Sequence, residues 1–406
     1  MQQRSIVRLG VPLAVAALAL TACGDRGGNT TTASGGGGAT KVAKIGVIAP
    51  LTGDLSALGK GIQHSVELAV KQANDSNAIP GWKLEVLPLD DEAKADVGKN
   101  AATKAASDDA VIGVVGTLNS SVAQQTQPIL NTAKIAQVSP ANTNPTLTKG
   151  ADAAAPKRQY ANYFRTCTTD AVQGPFAAQY LLGAGIRKVA TVHDKKAYGQ
   201  GLVDAFTTEF KKGGGEIVTA QTINPDESNY TAVVSAIAPL GAAAVYYGGE
   251  YPQAGPLSKQ MKAAGLNVPL MGGDGIYDPK YIDLGGSTSN GDLATSVGAP
   301  TDSTAAGKKF LDDYKAAGYP DPAAAYGGYA YDAAKSIIEA AKTSLKSAAD
   351  AKSARDATIT ALSSVSFDGV TGKVSFDQYG DATAKVLTVY KVDGGKWTTS
   401  KTDTFK

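Results

Sequence analysis

The sequence predicts an α/β fold with two lobes, each built on a doubly wound, mostly parallel sheet. From Lys41 onward, strand patterns alternate with amphipathic helix patterns, which is typical of parallel strands joined by helices. The alternation begins again near residue 160 without a long linker, which indicates two lobes that share one cleft. The chain has 406 residues and is 43% hydrophobic, which is enough for two domains with sizeable cores.

The elements follow in order along the chain. In the first series, strands are predicted at 44–50, 83–90 and 111–116, and helices at 59–75, 93–108 and 122–132. In the second series, strands are predicted at 160–165, 188–194, 216–223 and 242–249, and helices at 172–182, 202–212 and 230–238. Helices at 305–317, 325–345 and 351–364 then precede a strand, turn, strand pattern at 372–397. We expect this last part of the chain to cross back and complete both lobes.

The N-terminus has the pattern of an export signal. Arg4 and Arg8 precede a short apolar stretch and the residues LTAC, so we expect a signal peptide at 1–22. The LTAC segment resembles a bacterial lipobox, which implies acylation of Cys23; the alternative is a plain secretory signal. Residues 23–40 are rich in Gly, Ser and Thr and predict a flexible tether between a lipid anchor and the folded part.

Composition and motifs argue against several function classes. The net charge of +2, the interspersed charges and the 7% aromatic content do not fit a nucleic-acid binder. Cys167 has no cysteine partner in a lipidated chain, and His64 and His193 are far from it and from each other. Asp90 and Asp91 lie side by side on a strand and point to opposite faces. We therefore expect no catalytic residue, no metal and no cofactor, and an anchored hydrolase remains the enzyme alternative.

A hydroxyl-rich turn follows the strand at 111–116. Ser120 and Ser121 lie where a helix begins, and the first helical N–H groups there can bind an anion such as a carboxylate. The alternative is that one serine only caps the helix. The loop after the next strand adds the Thr143 hydroxyl and the Ala141 backbone at the same sheet edge, which favours an anion site.

The sequence resembles a known family, the substrate-binding proteins of branched-chain amino acid ABC transporters, which includes the leucine/isoleucine/valine-binding protein. The resemblance covers residues 41–406. It rests on segments that occur in the family's order: IGVIAPLTGDLSALG, LDDEA, VVGTLNSSVAQQTQPIL, VSPANTNPTLT, FRTCTTDAVQGP, VHDKKAYGQG, VYYGGEYPQ and AAGLNVPLMGGDG. It implies a type I periplasmic binding protein fold, with two α/β lobes joined by three crossovers.

The resemblance also implies roles for individual residues. Ser120 and Thr143, with the Ala141 backbone and Ser121, match the positions that hold a ligand α-carboxylate. Asp274 matches the acidic residue that pairs with the α-ammonium group of the ligand. Tyr198 matches a tyrosine that closes over the ligand. Donors at one end and an anion at the other suit a zwitterion. The alternatives are a turn aspartate and a packing tyrosine.

Departures from one relative, the leucine/isoleucine/valine-binding protein, affect the expected specificity. The chain has Leu58 and Glu250 where that relative has tyrosines, and Asn119 where it has a cysteine, so the relative's disulfide is absent. Glu250 is either a solvated charge at the rim or a second anion in the pocket that favours a cationic or polar ligand. Leu118 and Tyr326 match positions that line the side-chain pocket, and they favour an apolar side chain.

The resemblance implies a division of the chain and a function. We expect an amino-terminal lobe from 41–168 plus 298–385 and a carboxy-terminal lobe from 169–297 plus 386–406. The expected function is capture of leucine, isoleucine or valine by a monomeric, extracytoplasmic lipoprotein that delivers it to an ABC transporter permease. The alternatives are binding of a polar or basic amino acid, amide or urea, and a ligand-sensing lipoprotein that signals to a membrane receptor.

Overall fold

Two open sheets organise the chain, and helices cover both faces of each. The computed structural model describes residues 40–405. The predicted signal peptide, Cys23 and the tether up to residue 39 therefore lie outside the described residues. Within residues 40–405, every helix is too short or too polar to span a bilayer.

The first sheet contains five strands. They are β1 Lys41–Ala49, β2 Trp82–Asp90, β3 Val111–Gly116, β4 Ala136–Ser139 and β5 Tyr163–Arg165. All are parallel and lie in the order β2-β1-β3-β4-β5. The six residues of β3, VIGVVG, are all buried, as expected for a central strand covered on both faces.

The second sheet contains seven strands, and a separate two-stranded hairpin precedes its last two. The strands are β6 Lys188–His193, β7 Glu216–Thr222, β8 Ala244–Gly248, β9 Leu270–Gly272, β10 Leu293–Ser296, the hairpin pair β11 Ser366–Gly369 and β12 Gly372–Ser375, then β13 Val386–Asp393 and β14 Lys396–Thr404. The order in the seven-stranded sheet is β14-β13-β10-β9-β8-β6-β7.

The second sheet is mostly parallel, as predicted, with two antiparallel strands at one edge. Strands β6 to β10 pair in parallel, but β13 is antiparallel to β10 and to β14. A tight turn joins β13 to β14, and Gly394 and Gly395 have φ values of 57° and 77° there. Such φ values suit glycine, and a two-residue turn can join only antiparallel neighbours.

Helices connect the strands. They are α1 Ser56–Asp75, α2 Ala95–Ser107, α3 Ser120–Thr132, α4 Thr146–Lys149, α5 Asp170–Gly183, α6 Ala197–Lys212, α7 Thr231–Ile237, α8 Tyr251–Ala263, α9 Pro279–Gly285, α10 Ala305–Ala317, α11 Gly327–Ser344 and α12 Arg355–Leu362. Helices α1–α4 and α10–α12 belong with the first sheet, and α5–α9 with the second.

The core of the first lobe shows why its strands are continuously apolar. In β1, Ile45 and Val47 face the layer of α1 and α11, whereas Ile48 faces the layer of α2 and α3. Gly113 in β3 allows α11 to approach closely, because a Cβ there would lie 2.9 Å from Ile337 Cγ2. Burial on both faces selects β-branched side chains at successive positions.

The chain passes between the two sheets three times: after β5, after β10 and before β13. Helices α10 to α12 thus return to the first sheet, although they follow the strands of the second. This topology confirms the predicted α/β fold class with two lobes and three crossovers.

Candidate functional site

A cavity between the two lobes brings together loops from both. The first lobe contributes the loops after β3 and β4 and the residue before α11, and the second contributes the start of α6 and the loops after β8 and β9. Open α/β sheets bind ligands at this edge, where the strands end. The lining residues are Leu118, Asn119, Ser120, Ala141, Tyr198, Glu250, Asp274, Gly275 and Tyr326.

Most of the predicted site residues line this cavity. Eight of the ten are among its lining residues, and two are not: Ser121 and Thr143. Ser121 lies in the first turn of α3 and is partly exposed. Thr143 is fully buried beside Asp170, whose backbone N–H donates to the Thr143 carbonyl at 2.9 Å. The Thr143 hydroxyl helps to hold down the pKa of Asp170, which burial raises well above its ordinary value.

The start of α3 is the polar end of the cavity on the first lobe. The Asn119 carbonyl accepts from the N–H groups of Val122 and Ala123, both at 3.1 Å, so it closes the first turn of the helix. The Asn119 side chain does not cap the helix. Ser120 Oγ is buried and has no hydrogen-bond partner among the described residues. A buried hydroxyl at a helix N-terminus is suited to an anionic ligand group.

Ser139 ties the two loops of the first lobe together. Its hydroxyl donates to the Thr117 carbonyl at 2.9 Å and accepts from the N–H groups of Ala141 at 3.2 Å and Asn142 at 2.8 Å. The Asn142 side chain in turn donates to the Leu118 carbonyl at 2.8 Å. The loops that carry Ser120 and Ala141 are therefore fixed relative to each other.

Asp274 is the buried carboxylate of the cavity, with 2% of its surface exposed. Its Oδ1 accepts from the Tyr198 hydroxyl and from Gln173 Nε2, both at 2.8 Å, and its Oδ2 accepts from the Tyr326 hydroxyl at 2.7 Å. Burial raises the pKa of Asp274, and these three donors oppose that rise. The donors stabilise the ionised form, which is the form that can pair with an ammonium group.

Tyr198 and Gln173 orient this carboxylate from the second lobe. Tyr198 is the second residue of α6, and its hydroxyl also accepts from the Gly275 N–H at 3.1 Å. Gln173 Oε1 accepts from the Asp274 N–H at 2.8 Å and from the Thr295 hydroxyl at 2.6 Å. The Gln173 amide orientation is therefore fixed, and it holds Asp274 in place.

Glu250 lies at the other polar end of the cavity and is only 2% exposed. Its Oε1 accepts from Asn119 Nδ2 at 2.7 Å, and its Oε2 lies 3.1 Å from Lys196 Nζ. Burial alone would raise the pKa of Glu250, but Lys196, Asp194 and Asn119 hold it below its ordinary value. The alternative in which Glu250 is a solvated rim charge is therefore wrong.

Direct hydrogen bonds join the lobes around the cavity. Besides the contacts of Asn119 with Glu250 and Tyr326 with Asp274, Asn144 Nδ2 donates to the Ala197 carbonyl at 2.6 Å. The Tyr251 hydroxyl donates to the carbonyl of Asp54. The structure is thus a closed arrangement, in which residues of both lobes meet over the cavity.

Comparison with known proteins decides the family. A family profile described as periplasmic binding protein matches residues 42–396. The chain belongs to this family. A Leu/Ile/Val-binding protein homolog of Brucella melitensis is 33% identical over 354 residues, which cover 87% of this chain and 92% of that protein. These findings confirm the resemblance to the substrate-binding proteins of branched-chain amino acid ABC transporters.

Solved structures show the same fold. A leucine-binding protein of Thermotoga maritima superposes with a TM-score of 0.78 at 26% identity, covering 89% of this chain and 98% of that chain. A solute-binding protein of R. palustris in complex with benzoate superposes with a TM-score of 0.77 at 23% identity, covering 89% and 96%. The periplasmic binding protein fold therefore accommodates ligands of different chemistry, and the residues of the cavity must be considered individually.

A larger cavity lies beside the second crossover, but its chemistry is less specific. It measures about 580 Å³ and includes Tyr277 and Trp397. The charged side chains that line it are Asp283, Asp302 and Lys396, and all three are exposed. A periplasmic binding protein needs buried polar groups that fix a ligand, and the smaller cavity has them.

The other candidate residues from the sequence make contacts within the fold. Cys167 is buried, its Sγ lies 3.4 Å from the Asn142 carbonyl, and burial raises its thiol pKa well above its ordinary value. His64 stacks on Tyr319 with ring centroids 4.7 Å apart. Asp90 accepts from the N–H and hydroxyl of Thr52 and holds that loop. Residues 40–405 contain no cluster of three or more His, Cys, Asp or Glu side chains that could hold a metal ion.

Sequence reasoning missed two side chains of the site. Gln173 lies in the first turn of α5, and Lys196 immediately precedes α6. Both are polar residues at helix starts on the edge where the strands end. That position is a weak signal, because helix starts are commonly polar for reasons of capping alone.

Proposed function

We propose that this protein captures a zwitterionic amino acid by closure of its two lobes and delivers it to an ABC importer. Leucine, isoleucine and valine are the first candidates. In this proposal the ligand first binds the first lobe, and the second lobe then closes over it. The permease recognises the closed form.

One observation carries this proposal: the same cavity contains a buried carboxylate and an unpartnered buried hydroxyl at a helix start. Asp274 offers a fixed anion for an α-ammonium group, and Ser120 with the first N–H groups of α3 offers donors for an α-carboxylate. Charge-assisted hydrogen bonds are strong in such a buried site. An amino acid backbone presents these two charges together.

Three observations favour an uncharged, largely apolar ligand side chain. Leu118, Ala141 and the ring of Tyr326 line the cavity and supply apolar surface. The charge of Glu250 is already paired with Lys196. The relatives matched in sequence also bear the name Leu/Ile/Val-binding protein. We therefore place leucine, isoleucine and valine ahead of basic amino acids.

The cellular arrangement in this proposal follows from the N-terminus. Members of the periplasmic binding protein family are extracytoplasmic. Acylation of Cys23 and the tether at 23–40 would hold the protein at the membrane, where a short linker gives a high effective concentration near a permease. The protein would act as a monomer, because both halves of the ligand site come from one chain.

Calorimetric titration with individual amino acids tests the ligand class. We expect leucine, isoleucine or valine to bind and Asp274→Asn to weaken binding roughly 100-fold to 1000-fold, because the ammonium group loses its anion in a buried site. Asp332→Asn is the matched control: Asp332 is also buried and accepts three hydrogen bonds, but from Val370 and Thr371, away from the cavity. Equal affinity in the wild type and Asp274→Asn would refute the zwitterion site.

One observation favours a second candidate, an amino acid or amide with an uncharged polar group. Because Asn119 donates through Nδ2 to a carboxylate, its Oδ1 must be the free end, and this atom is buried without a hydrogen-bond partner among the described residues. A hydroxyl or amide of a ligand could donate to it. Threonine, asparagine, glutamine, acetamide and urea therefore belong in the same titration, and tighter binding of one of these would replace the first candidates.

A further inference from the structure

Glu250 is a second buried carboxylate in a cavity that already has one for an ammonium group. A free carboxylate at this position would attract ligands with a cationic side chain. Its surroundings argue against this. Both oxygens are engaged, one by Asn119 of the first lobe and the other by Lys196 of the second.

Lys196 reaches this carboxylate from the solvent side. Its side chain is 24% exposed, whereas that of Glu250 is 3% exposed, and the two charged groups are 3.1 Å apart. Lys196 is also held at its backbone, since its N–H donates to Asp194 Oδ1 at 3.0 Å. The ammonium group therefore lies between Glu250 and solvent, in a fixed position beside α6.

Two carboxyls lie near the Lys196 ammonium. The Lys196 ammonium lies 3.9 Å from Asp194 Oδ2, so two carboxyls share one cation. Burial, together with the charge of Glu250, raises the pKa of Asp194 to about 8. Glu250 lies closer to the Lys196 ammonium than Asp194 does, and Glu250 and Lys196 form a pair without net charge.

We infer that Glu250 and Lys196, joined across the cleft by Asn119, form a neutral gate at the side-chain end of the cavity that admits uncharged side chains and rejects charged ones. The inference rests on the proposed function, because it assumes an amino acid ligand. A cationic side chain that contacts the Glu250 carboxylate would lie within about 6 Å of the Lys196 ammonium, because each cation would be about 3 Å from that carboxylate, and an anionic one would meet Glu250 itself. Repulsion between like charges at such a separation corresponds to roughly 100-fold weaker binding.

The test compares ligands whose side chains differ in charge. Norvaline and ornithine share one carbon chain, and ornithine adds an ammonium group at its end. We expect the wild type to bind norvaline at least roughly 100-fold more tightly than ornithine. Lys196→Met leaves Glu250 unpaired, so this preference should fall at least tenfold. Lys196→Arg keeps the charge and should keep the preference.

The reciprocal variant gives an independent measurement if Lys196→Met does not fold. Glu250→Gln removes the carboxylate nearest to the Lys196 ammonium, so the preference for glutamine over glutamate should fall at least tenfold. The double variant with Lys196→Met and Glu250→Gln should gain neither ornithine binding nor glutamate binding, because it lacks both charges. Lys262→Met is the matched control, because Lys262 pairs with buried Asp292 at 2.9 Å in the same lobe, and Asp292 does not line the cavity whereas Glu250 does.

Each outcome has a distinct meaning. An unchanged preference in both Lys196→Met and Glu250→Gln, or an equal fall in Lys262→Met, overturns the gate while the proposed function stands. Tight ornithine binding by the wild type also overturns the gate. If the wild type binds neither norvaline nor leucine, the proposed function fails and the gate fails with it.

Discussion

Asp91 is a fully buried carboxyl at the end of β2, and no cation pairs with it among residues 40–405. Its Oδ1 accepts from the Ala93 N–H at 2.9 Å, and its Oδ2 has no partner among the described residues. Burial raises the pKa of Asp91 to about 7; the Ala93 N–H opposes this rise, and the charge of Asp90 adds to it. The folded protein must therefore bury an unpaired charge whenever the pH is well above 7.

The sign of the effect on stability follows from proton linkage. Between the ordinary pKa of 3.8 and the folded value of about 7, the folded state holds the proton and the unfolded state does not. The free energy of unfolding therefore falls as the pH rises through this range. Two pH units separate pH 5 from the folded pKa, and each corresponds to ~1.4 kcal/mol, so Asp91 alone should lower stability by ~2.7 kcal/mol between pH 5 and pH 8.

Asp91→Asn should remove this contribution. The substitution can cost stability at every pH, because the new amide N–H groups are also buried, but it should flatten the difference between pH 5 and pH 8 by ~2.7 kcal/mol. Urea denaturation at both pH values measures that difference. The chain has two tryptophans, and in a Trp397→Phe background the fluorescence of Trp82 reports on the first sheet, which contains β2.

A neighbouring carboxylate provides the control. Asp90 lies one residue earlier, and although burial acts to raise its pKa, hydrogen bonds from Thr52, Glu92 and Leu51 lower it overall. The contribution of Asp90 to the free energy of unfolding changes only at acidic pH. Asp90→Asn should therefore leave the difference in that free energy between pH 5 and pH 8 unchanged. If Asp91→Asn changes that difference by less than about 1 kcal/mol, or no more than Asp90→Asn does, the reasoning from burial is refuted.

Two further predictions concern buried groups near the crossovers. Arg165→Met should lower the free energy of unfolding by ~3–5 kcal/mol in urea denaturation, because it leaves Asp381, whose Oδ1 is 2.8 Å from Arg165 Nε, as a buried charge without this partner; a loss below about 1 kcal/mol would contradict this. Cys167 should not react with a thiol reagent in the native protein, because its thiol is buried and its pKa is raised. Reaction as fast as in urea-unfolded protein would contradict that burial.

The secondary structure was largely predictable because burial on two faces leaves a periodic pattern. The helix predicted at 305–317 is observed as Ala305–Ala317, and the strand predicted at 111–116 as Val111–Gly116. The helix predicted at 202–212 begins earlier, at Ala197. Tyr198 of its first turn lines the interlobe cavity as well as joining the core of the second lobe, so the apolar periodicity of the rest of the helix does not extend regularly into this turn.

The cavity residues on loop ends were predictable from position and from family resemblance, but their partners were not. Gln173 and Asp274 are 101 residues apart, and their hydrogen bond depends on how α5 packs against the second sheet. The burial of Glu250 likewise depends on Lys196 and on Asn119 of the other lobe. A buried carboxylate is stable only with hydrogen-bond or charged partners, and the sequence around Glu250 does not identify them.

Lobe closure and the proposed binding of the ligand ammonium are linked through Asp274. Tyr198 and Gln173 of the second lobe and Tyr326 of the first lobe all donate to this one carboxylate. The Tyr326 contact can exist only when the lobes are closed, so closure adds a donor to the same group that is proposed to bind the ligand ammonium. The apparent affinity must then depend on the fraction of protein that is closed, because only that state has the complete site. Asn144 does not line the cavity, so loss of its interlobe hydrogen bond in Asn144→Ala should lower affinity by disfavouring closure.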